Sequence, residues 1–463
     1  MTSQITTEPQ IDELRAGLTG RVITPADADY DQVRGIMAGG FDLRPAAIVR
    51  VANTDDVARV IRFARDAGWE LAVRSGGHSG AGHGTTDGGI VIDLRDMKQL
   101  EIDPEARTAW AQTGLTAGEV TAAAAEHGLA VGFGDTASVG IGGITLGGGI
   151  GYLVRKHGLT IDSVLAAEVV TADGETLTVD ADRHPDLFWA VRGGGGNFGV
   201  VTRFLYRLQP LEQIVGGILV QPATPESLAG IMAAAEAAPE ELSGIVNVMP
   251  CPPLPFVAEE HHGSLVLFSM FCYAGDAEAG EQAMAPIRAV AEPLADLVRP
   301  MTYPEMYPPE EGGGDYHPTA VAKTMFLDYV GVSEARAILE ALSASDAAMR
   351  VTQLRVLGGA MARVPVEATA FAHRSSRIMA AIAAFHDGPD DRATKEAWVD
   401  RLMARLRQGD DGAYVNFVGD EGPERVRAAY PGATWLRLVE VKARYDPTNL
   451  FRRNQNIPVE LRP

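Results

Sequence analysis

A short glycine-rich segment with the sequence RSGGHSG, residues 74–80, most constrains what this chain can fold into. It directly follows an apolar run, residues 70–73, that predicts a strand. Adjacent glycines let the backbone turn where side chains would clash, and successive N–H groups in such a turn form a nest for phosphate. His78 lies in the middle of this nest. The segment predicts either a phosphate-binding loop that carries a functional histidine or a tight surface turn after a strand.

Two further glycine-rich regions favour the phosphate-binding interpretation. Residues 134–151 contain eight glycines, and residues 193–199 contain five. Because glycine loses the most backbone entropy on folding, this density predicts a close approach of the backbone to a flat or phosphorylated ligand rather than a regular element. An irregular linker is the alternative for the longer region. Since each cluster adjoins a predicted strand, we expect all three to line one cleft.

Composition restricts the partners and the location. The chain has 463 residues, enough for two or more domains, and its formal net charge of −21 would repel nucleic acid and anionic membranes. Solubility alone also accounts for such a charge. Cys251 and Cys272 form no CxxC pair, so they predict neither a disulfide scaffold nor a metal site. The polar N-terminus and the absence of a long apolar run predict a soluble, cytoplasmic protein.

The pattern of predicted strands and helices changes near Pro210. Before it, Thr54 is predicted to cap a helix that Gly68 ends. After it, the predicted strands are residues 217–221, 245–249, 265–273, 352–357 and 378–385, and the predicted helices are residues 225–235, 277–290, 332–342 and 391–406. This pattern predicts an α+β fold in which an antiparallel sheet is backed by helices.

Five motifs occur in an order that resembles a known flavoprotein family. They are RSGGHS, GDTASVGIGG followed by GGGIG, GNFGVVT, YVNF and YDPTNLFRRNQNIP. With them the chain resembles the vanillyl-alcohol oxidase / p-cresol methylhydroxylase superfamily, and most of all the bacterial members of its berberine-bridge-enzyme-like branch. The resemblance implies an FAD-linked oxidoreductase. Its FAD-binding domain, of the p-cresol methylhydroxylase type, would comprise residues 1–211 and 415–463, with an inserted substrate-binding domain at residues 212–414.

The resemblance also implies that FAD is bonded through its 8α-methyl group to His78. Many relatives add a second bond through a cysteine in the second glycine-rich region, where this chain has Thr136, so we expect a single attachment. Val139 matches the family's gatekeeper beside the flavin, and its small side chain favours an oxidase, although simple packing is the alternative. The residues expected to bind FAD are Arg74, Ser75, Gly76, Gly77, His78, Ser79, Gly80, Asp135, Thr136, Val139, Gly140, Gly142, Gly143, Gly147, Gly149, Gly151, Gly199, Val200 and Asn454.

Tyr414 matches the family's catalytic tyrosine and is the expected base. Residues 412–417 predict a strand, in which the period of two puts Tyr414 and Asn416 on one face. As hydride leaves a substrate C–H for the flavin, the base would remove the proton of the adjacent O–H or N–H, and oxygen would then reoxidise the flavin and give hydrogen peroxide. A free phenol has a pKa of about 10, so we expect neighbours to depress the pKa of Tyr414. Core packing is the alternative role.

The side chains expected to reach the substrate are Tyr152, Gln353, Arg355 and His373. The apolar strands of the predicted substrate domain, such as residues 245–249 and 265–270, favour an apolar, alkaloid-like substrate of secondary metabolism. The alternatives are a carbohydrate oxidase that acts on an anomeric hydroxyl, a dehydrogenase with another electron acceptor, and a non-catalytic flavin-binding protein. The joint presence of a histidine anchor, a tyrosine base and an adjacent asparagine argues against the last alternative.

Overall fold

The computed structural model of the protein describes residues 7–307, 317–409 and 411–460. Within these ranges the chain builds three main β-sheets, of four, five and eight strands. The first two sheets belong to the N-terminal part of the chain, and residues 214–385 contribute the third. This arrangement of helices and sheets confirms the predicted α+β fold, whereas the domain boundaries after residues 211 and 414 stay a prediction.

The first sheet ends at the first glycine-rich loop. Its elements are α1 (Thr7–Ala16), β1 (Arg21–Ile23), α2 (Tyr30–Arg34), β2 (Ala47–Arg50), α3 (Thr54–Ala67), β3 (Leu71–Arg74) and β4 (Ile90–Asp93). The strand order is β1-β2-β4-β3, with β1 antiparallel to β2 and the other pairs parallel. The cap of α3 is Asn53 rather than Thr54, because the extended backbone of Asn53 lets its side-chain oxygen accept the Asp56 N–H. Gly68 ends the helix in the left-handed conformation, as predicted.

The second sheet is antiparallel and adjoins the other two glycine-rich regions. This part of the chain forms β5 (Leu100–Asp103), β6 (Thr108–Gln112), α4 (Ala117–Ala125), β7 (Leu129–Ala130), α5 (Ile141–Gly147), α6 (Val154–His157), β8 (Val164–Val170), β9 (Thr176–Asp180), α7 (Pro185–Ala190), β10 (Val200–Arg207) and β11 (Gln209–Pro210). The short strands β7 and β11 pair with each other in a separate two-stranded sheet. The strand order of the five-stranded sheet is β5-β6-β10-β8-β9. The prediction that residues 134–151 hold no regular element is wrong. The short helix α5 forms there because Ile141 and Thr145, one turn apart, are both buried.

The third sheet confirms the predicted antiparallel sheet backed by helices. Its elements are β12 (Ile214–Pro222), α8 (Pro225–Ala237), β13 (Leu242–Pro250), β14 (Leu265–Tyr273), α9 (Ala277–Arg288), β15 (Ala295–Asp296), β16 (Arg299–Met301), β17 (Ala320–Leu327), α10 (Val332–Ala344), β18 (Arg350–Val356), α11 (Ala360–Arg363), β19 (Ile378–Phe385) and α12 (Pro389–Leu406). The order is β15-β12-β14-β13-β18-β19-β17, and β16 pairs with β12. Leu228, Ile338 and Val399 of three helices pack against Leu354 and Ile382 on one face of this sheet.

The C-terminal segment packs back onto the second sheet. It contains α13 (Pro423–Ala429) and α14 (Ala433–Tyr445). Trp435 and Leu438 of α14, together with Ile457, belong to the same apolar core as the second sheet. Cys251 and Cys272 are buried free thiols. Among the residues that the structure describes, no helix combines the length and apolar character that a bilayer crossing requires.

Candidate active site

The first two glycine-rich loops are in direct contact. Ser75 donates its hydroxyl to the Thr113 carbonyl oxygen (2.5 Å) and accepts the Gly142 N–H (3.2 Å). A β-carbon on Gly140 would lie 2.2 Å from the Gly76 nitrogen, closer than the 3.0 Å that real β-carbons respect. Both positions therefore require glycine, and the two loops form one continuous backbone surface.

The Arg74 side chain, at the start of the first glycine-rich loop, points into the protein. Its buried guanidinium donates to the carbonyl oxygens of Gly84 (2.9 Å), Val33 (2.6 Å) and Gly35 (3.3 Å). Burial lowers the pKa of Arg74 to about 10. These bonds direct the guanidinium at backbone carbonyls, and the expected contact of Arg74 with the cofactor stays a prediction.

His78 joins the first loop to the second. Its Nε2 lies 3.0 Å from the Ser138 hydroxyl oxygen, and both side chains are half-buried. Val139 follows directly, and its carbonyl oxygen accepts the Ala117 N–H (2.8 Å) at the start of α4. Thr136, three residues before Val139, donates its hydroxyl to Asp135 (3.3 Å). The contact of His78 with Ser138 therefore brings the histidine to the segment that contains Thr136 and Val139.

Exposure divides the predicted cofactor residues into three groups. Those that are half-buried are Ser75, Gly76, Gly77, His78, Ser79, Asp135, Thr136, Val139, Gly151 and Asn454. Those that are exposed are Gly80 and Gly143, and those that are buried are Arg74, Gly140, Gly142, Gly147, Gly149, Gly199 and Val200. The half-buried residues are partly accessible, as contact with a bound ligand requires.

Tyr414 and Asn416 meet the second glycine-rich region in a 3₁₀ turn, Val415–Phe417, and not in the predicted strand. The Tyr414 phenol oxygen accepts the Gly149 N–H (2.9 Å) and the Asn416 side-chain N–H (2.8 Å). A β-carbon on Gly147 would lie 2.0 Å from the Asn416 side-chain oxygen, so this glycine leaves the space that the amide fills. The turn replaces the strand because these bonds to the glycine-rich region bring the side chains of Tyr414 and Asn416 together.

Burial raises the pKa of Tyr414 above its ordinary value, although the Asn416 N–H, the Gly149 N–H and the Arg355 guanidinium act in the opposite direction. The Tyr414 side chain is 2% exposed, so removal of the phenol from water outweighs these three contacts. The expectation that the pKa of Tyr414 lies below its ordinary value is therefore wrong. The two N–H donors nevertheless stabilise the phenolate, so the pKa of Tyr414 is lower than burial alone would make it.

The third glycine-rich loop is tied to the C-terminal segment. Asn454 donates its side-chain N–H to the Gly196 carbonyl oxygen (3.0 Å), and Asn197 donates to the Gln455 carbonyl oxygen (3.1 Å). Gly199 leads into β10 with φ 153°, where a β-carbon would meet the Val170 carbonyl oxygen at 2.6 Å. These bonds place Asn454 beside the third glycine-rich loop.

Arg355 and Gln353 lie on the face of the third sheet that the helices leave uncovered. Arg355 pairs with Asp135 (2.5 Å) and donates to the Ile150 carbonyl oxygen (3.1 Å), so this face is directed at the second glycine-rich region. Gln353 is half-buried and donates to the Asn247 side-chain oxygen (2.9 Å). Asn247 was not among the predicted site residues, although it is the single polar residue of the predicted strand at residues 245–249.

Tyr152 and His373 are buried. The Tyr152 hydroxyl lies 3.4 Å from the Met270 sulfur, and burial raises its pKa well above the ordinary value. His373 stacks on Phe326 with ring centroids 4.6 Å apart, and its Nε2 lies 3.1 Å from the Ala429 carbonyl oxygen. His373 therefore packs among aromatic side chains, and its expected place at the substrate stays a prediction.

The residues of this cleft fit the FAD that the resemblance implies. The glycines leave backbone surface without side chains, as a flat, phosphorylated ligand requires. In addition, the Asn454 side-chain oxygen is buried and accepts no hydrogen bond from any described residue. A buried acceptor of this kind needs a donor, and the flavin ring carries an N–H group.

Two family models match the chain. One, described as "FAD binding domain", covers residues 45–180, and the other, described as "Berberine and berberine like", covers residues 413–458. The first includes the RSGGHSG loop and all of the second glycine-rich region, and the second includes Tyr414 and most of the C-terminal segment. Both matches agree with the motifs on which the resemblance depends.

Curated relatives match over nearly the whole chain. (R)-6-hydroxynicotine oxidase of Paenarthrobacter nicotinovorans is 31% identical over 460 residues, which cover 96% of this chain and 97% of that protein. An FAD-linked oxidoreductase of Bacillus subtilis, YvdP, is 32% identical over 461 residues (95% and 98%). Xylooligosaccharide oxidase of Thermothelomyces thermophilus is 29% identical over 434 residues (88% and 86%).

Solved structures share the fold. The 6-hydroxy-D-nicotine oxidase of Arthrobacter nicotinovorans superposes with a TM-score of 0.83 at 28% identity, over 96% of this chain and 99% of that one. Physcomitrella patens BBE-like 1 superposes with a TM-score of 0.86 at 23% identity, over 98% and 100%. The chain belongs to the berberine-bridge-enzyme-like FAD-linked oxidoreductases of the vanillyl-alcohol oxidase / p-cresol methylhydroxylase superfamily.

Proposed function

We propose that the protein is an oxidase that removes hydride from a carbon bearing an O–H or N–H group in an apolar, alkaloid-like substrate. Bound FAD supplies a two-electron acceptor that oxygen can restore with release of hydrogen peroxide. Residues 1–211 and 415–463 would hold this cofactor, and residues 212–414 would cover the substrate. The similarity to an oxidase of 6-hydroxynicotine supports an alkaloid-like substrate.

The single observation that carries the proposal is the composition of the uncovered face of the third sheet. Ile218, Phe268, Met270 and Val351 are half-buried side chains on this face. Polar groups occur there mainly as one connected line that ends at Arg355. A mainly apolar wall with a few oriented polar groups is typical of a site for an apolar small molecule.

His78 is the residue that we assign to the covalent bond with the 8α-methyl group of FAD. The Ser138 hydroxyl, 3.0 Å from Nε2, orients the imidazole ring. The N–H groups of residues 75–80 supply a nest for the pyrophosphate. Because Thr136 offers no thiol and neither cysteine lies in that region, His78 would be the single attachment.

Tyr414 is the residue that we assign as base. Its phenol oxygen accepts two N–H groups, so its own proton points elsewhere, and loss of that proton leaves a phenolate that both donors stabilise. This phenolate would take the proton of the substrate O–H or N–H as hydride leaves the adjacent carbon. Asn416 would hold the phenol in place.

A second candidate is the oxidation of a sugar at its anomeric hydroxyl. The similarity to xylooligosaccharide oxidase and the polar line that ends at Arg355 favour it. A dehydrogenase with another electron acceptor is the third candidate, and the small side chain of Val139 argues against it because it leaves room for oxygen. Val139→Leu should slow the reaction with oxygen and leave substrate oxidation unchanged.

Oxygen uptake by the purified yellow holoenzyme tests these candidates. A panel of alkaloid-like amines, benzylic alcohols and oligosaccharides should include one member that bleaches the flavin band under nitrogen. Admission of air should then restore the band and release peroxide. Bleaching by sugars alone would favour the second candidate, and recovery only with an artificial acceptor would favour the dehydrogenase.

A further inference from the structure

We propose that Gln353 determines substrate specificity by presenting one fixed N–H donor to the cleft. The substrate would then carry a hydrogen-bond acceptor, such as a pyridine nitrogen or an ether oxygen, in addition to the group that is oxidised. This inference rests on the proposed function and names a feature of the substrate that the function alone leaves open.

Arg355 fixes which way the Gln353 amide faces. Its Nε and Nη2 lie 3.0 Å and 2.7 Å from the Gln353 side-chain oxygen. A guanidinium has only N–H donors, so the group that faces it must be the amide oxygen and not the amide nitrogen. The orientation of this amide therefore follows from chemistry and not from a choice between two similar atoms.

The hydrogen bonds on the other side of Gln353 require the same orientation of its amide, with the nitrogen as donor. Its side-chain nitrogen donates to the Asn247 side-chain oxygen (2.9 Å), and Asn247 in turn donates to the Phe268 carbonyl oxygen (3.1 Å). The Gln353 oxygen thus uses both lone pairs on Arg355, and its nitrogen uses one of two hydrogens. Within the described part of the chain, one N–H is the remaining hydrogen-bonding capacity of this amide.

The Arg355 guanidinium is itself immobilised. It is 4% exposed, pairs with Asp135 (2.5 Å) and donates to the Ile150 carbonyl oxygen (3.1 Å). Rotation of the Gln353 amide by a half-turn would bring N–H groups against this guanidinium and lose both bonds. The amide therefore cannot adapt to a substrate that offers a donor, and the site should discriminate between donors and acceptors.

Gln353 is placed where a substrate can meet it. Its neighbour Leu354 packs against the helices, so the alternation of β18 puts Gln353 on the uncovered face together with Arg355. The register places Asn247 on one side of it and Ala381 on the other. A bound molecule without an acceptor would cover the remaining N–H and leave it without water or partner.

Two nearly isosteric probes test the proposal on the holoenzyme. Quinoline carries a ring nitrogen acceptor, naphthalene has a C–H in its place, and neither has an O–H that can be oxidised. Perturbation of the flavin absorbance gives a Kd for each probe. The ratio of the naphthalene Kd to the quinoline Kd should fall about three- to tenfold in Gln353→Leu, as expected for one neutral hydrogen bond. Gln353→Glu, which replaces the donor by an acceptor, should lower the ratio further.

Val351→Ala is the matched control, because Val351 lies on the same strand and face. Val351→Ala should weaken the binding of both probes equally, so the ratio of their Kd values should stay that of the wild type. The proposal would be overturned if Gln353→Leu retained FAD and the wild-type melting temperature but still showed the wild-type ratio of Kd values. It would also be overturned if neither probe changed the flavin absorbance of the wild type. Failure of the oxidase proposal is distinguishable, since it appears as absent oxygen uptake while the ratio still depends on Gln353.

Discussion

The backbone of Gly76 packs directly on the backbone of Gly140. A β-carbon on Gly140 would lie 2.2 Å from the Gly76 nitrogen, and a β-carbon on Gly76 would lie 2.3 Å from the Gly140 nitrogen. The two glycines come from different motifs, 64 positions apart in the chain (140 − 76). Their contact joins the loop that contains His78 to the loop that contains Val139, so it determines whether both can reach one cofactor.

Gly140→Ala should separate these loops. Overpacking of this kind typically costs about 1–3 kcal/mol, and here it also displaces the Ser75 hydroxyl, which the new β-carbon would meet at 2.2 Å. We expect a lower melting temperature and a lower ratio of flavin to protein absorbance in the purified variant. Gly143→Ala is the control for stability, because a β-carbon there would meet nothing within 4 Å. Unchanged melting and flavin content in Gly140→Ala would contradict this account of the loops.

His78→Ala should abolish covalent attachment of the flavin. After acid precipitation, the wild-type pellet should stay yellow and the variant pellet should be colourless, because Thr136 offers no second bond. Ser138→Ala removes the hydroxyl that lies 3.0 Å from the His78 ring and should keep the pellet yellow. A yellow His78→Ala pellet would show that another residue carries the bond.

The pH dependence of kcat/KM should report the ionisation of Tyr414. Burial raises its pKa above about 10, so the phenolate fraction and the rate should increase with pH through the neutral and alkaline range. Asn416→Ala removes a donor that lowers this pKa, so the rising limb should move to higher pH and the rate at a given pH should fall. Tyr414→Phe should lose the limb and lower kcat/KM by about 10²- to 10⁴-fold. A limb that persists in Tyr414→Phe would assign the base elsewhere.

Much of the fold could be predicted because burial leaves a periodic pattern in the sequence. β14 and β19 match their predicted bounds, residues 265–273 and 378–385, since each is a continuous apolar segment. β17 was not predicted. Its sequence, AVAKTMFL, is interrupted by Lys323 and rich in residues that also favour helix, and it becomes a strand because it pairs with β19 along eight residues.

The candidate site was predictable only as a set of motifs. The sequence places Tyr414 and Asn416 two residues apart, but their hydrogen bond depends on a 3₁₀ turn that the second glycine-rich region imposes. Likewise, Gln353 and Arg355 share a strand face by simple alternation, whereas the Arg355 contact with Asp135 joins residues 220 positions apart. Contacts of this range follow from tertiary packing, which no local pattern specifies.

Lys442→Met should destabilise the C-terminal segment. Lys442 and Asp446 are both fully buried, with 2.7 Å between nitrogen and oxygen, and Lys442 also donates to the carbonyl oxygens of Asn197 (2.8 Å) and Phe451 (3.0 Å). The substitution leaves a buried carboxylate without its cation, which typically costs about 3–5 kcal/mol. Urea unfolding should show this loss. Because Asn197 belongs to the third glycine-rich loop, the flavin content should fall as well.

Arg444→Met provides the matched comparison on the same helix. Arg444 pairs with Asp186 at the same distance of 2.7 Å, but its side chain is 65% exposed. Exposed pairs contribute less than about 1 kcal/mol, so this variant should unfold nearly as the wild type does and keep its flavin. Equal losses in the two variants would mean that the burial of Lys442, and its contact with the third glycine-rich loop, do not hold the C-terminal segment in place.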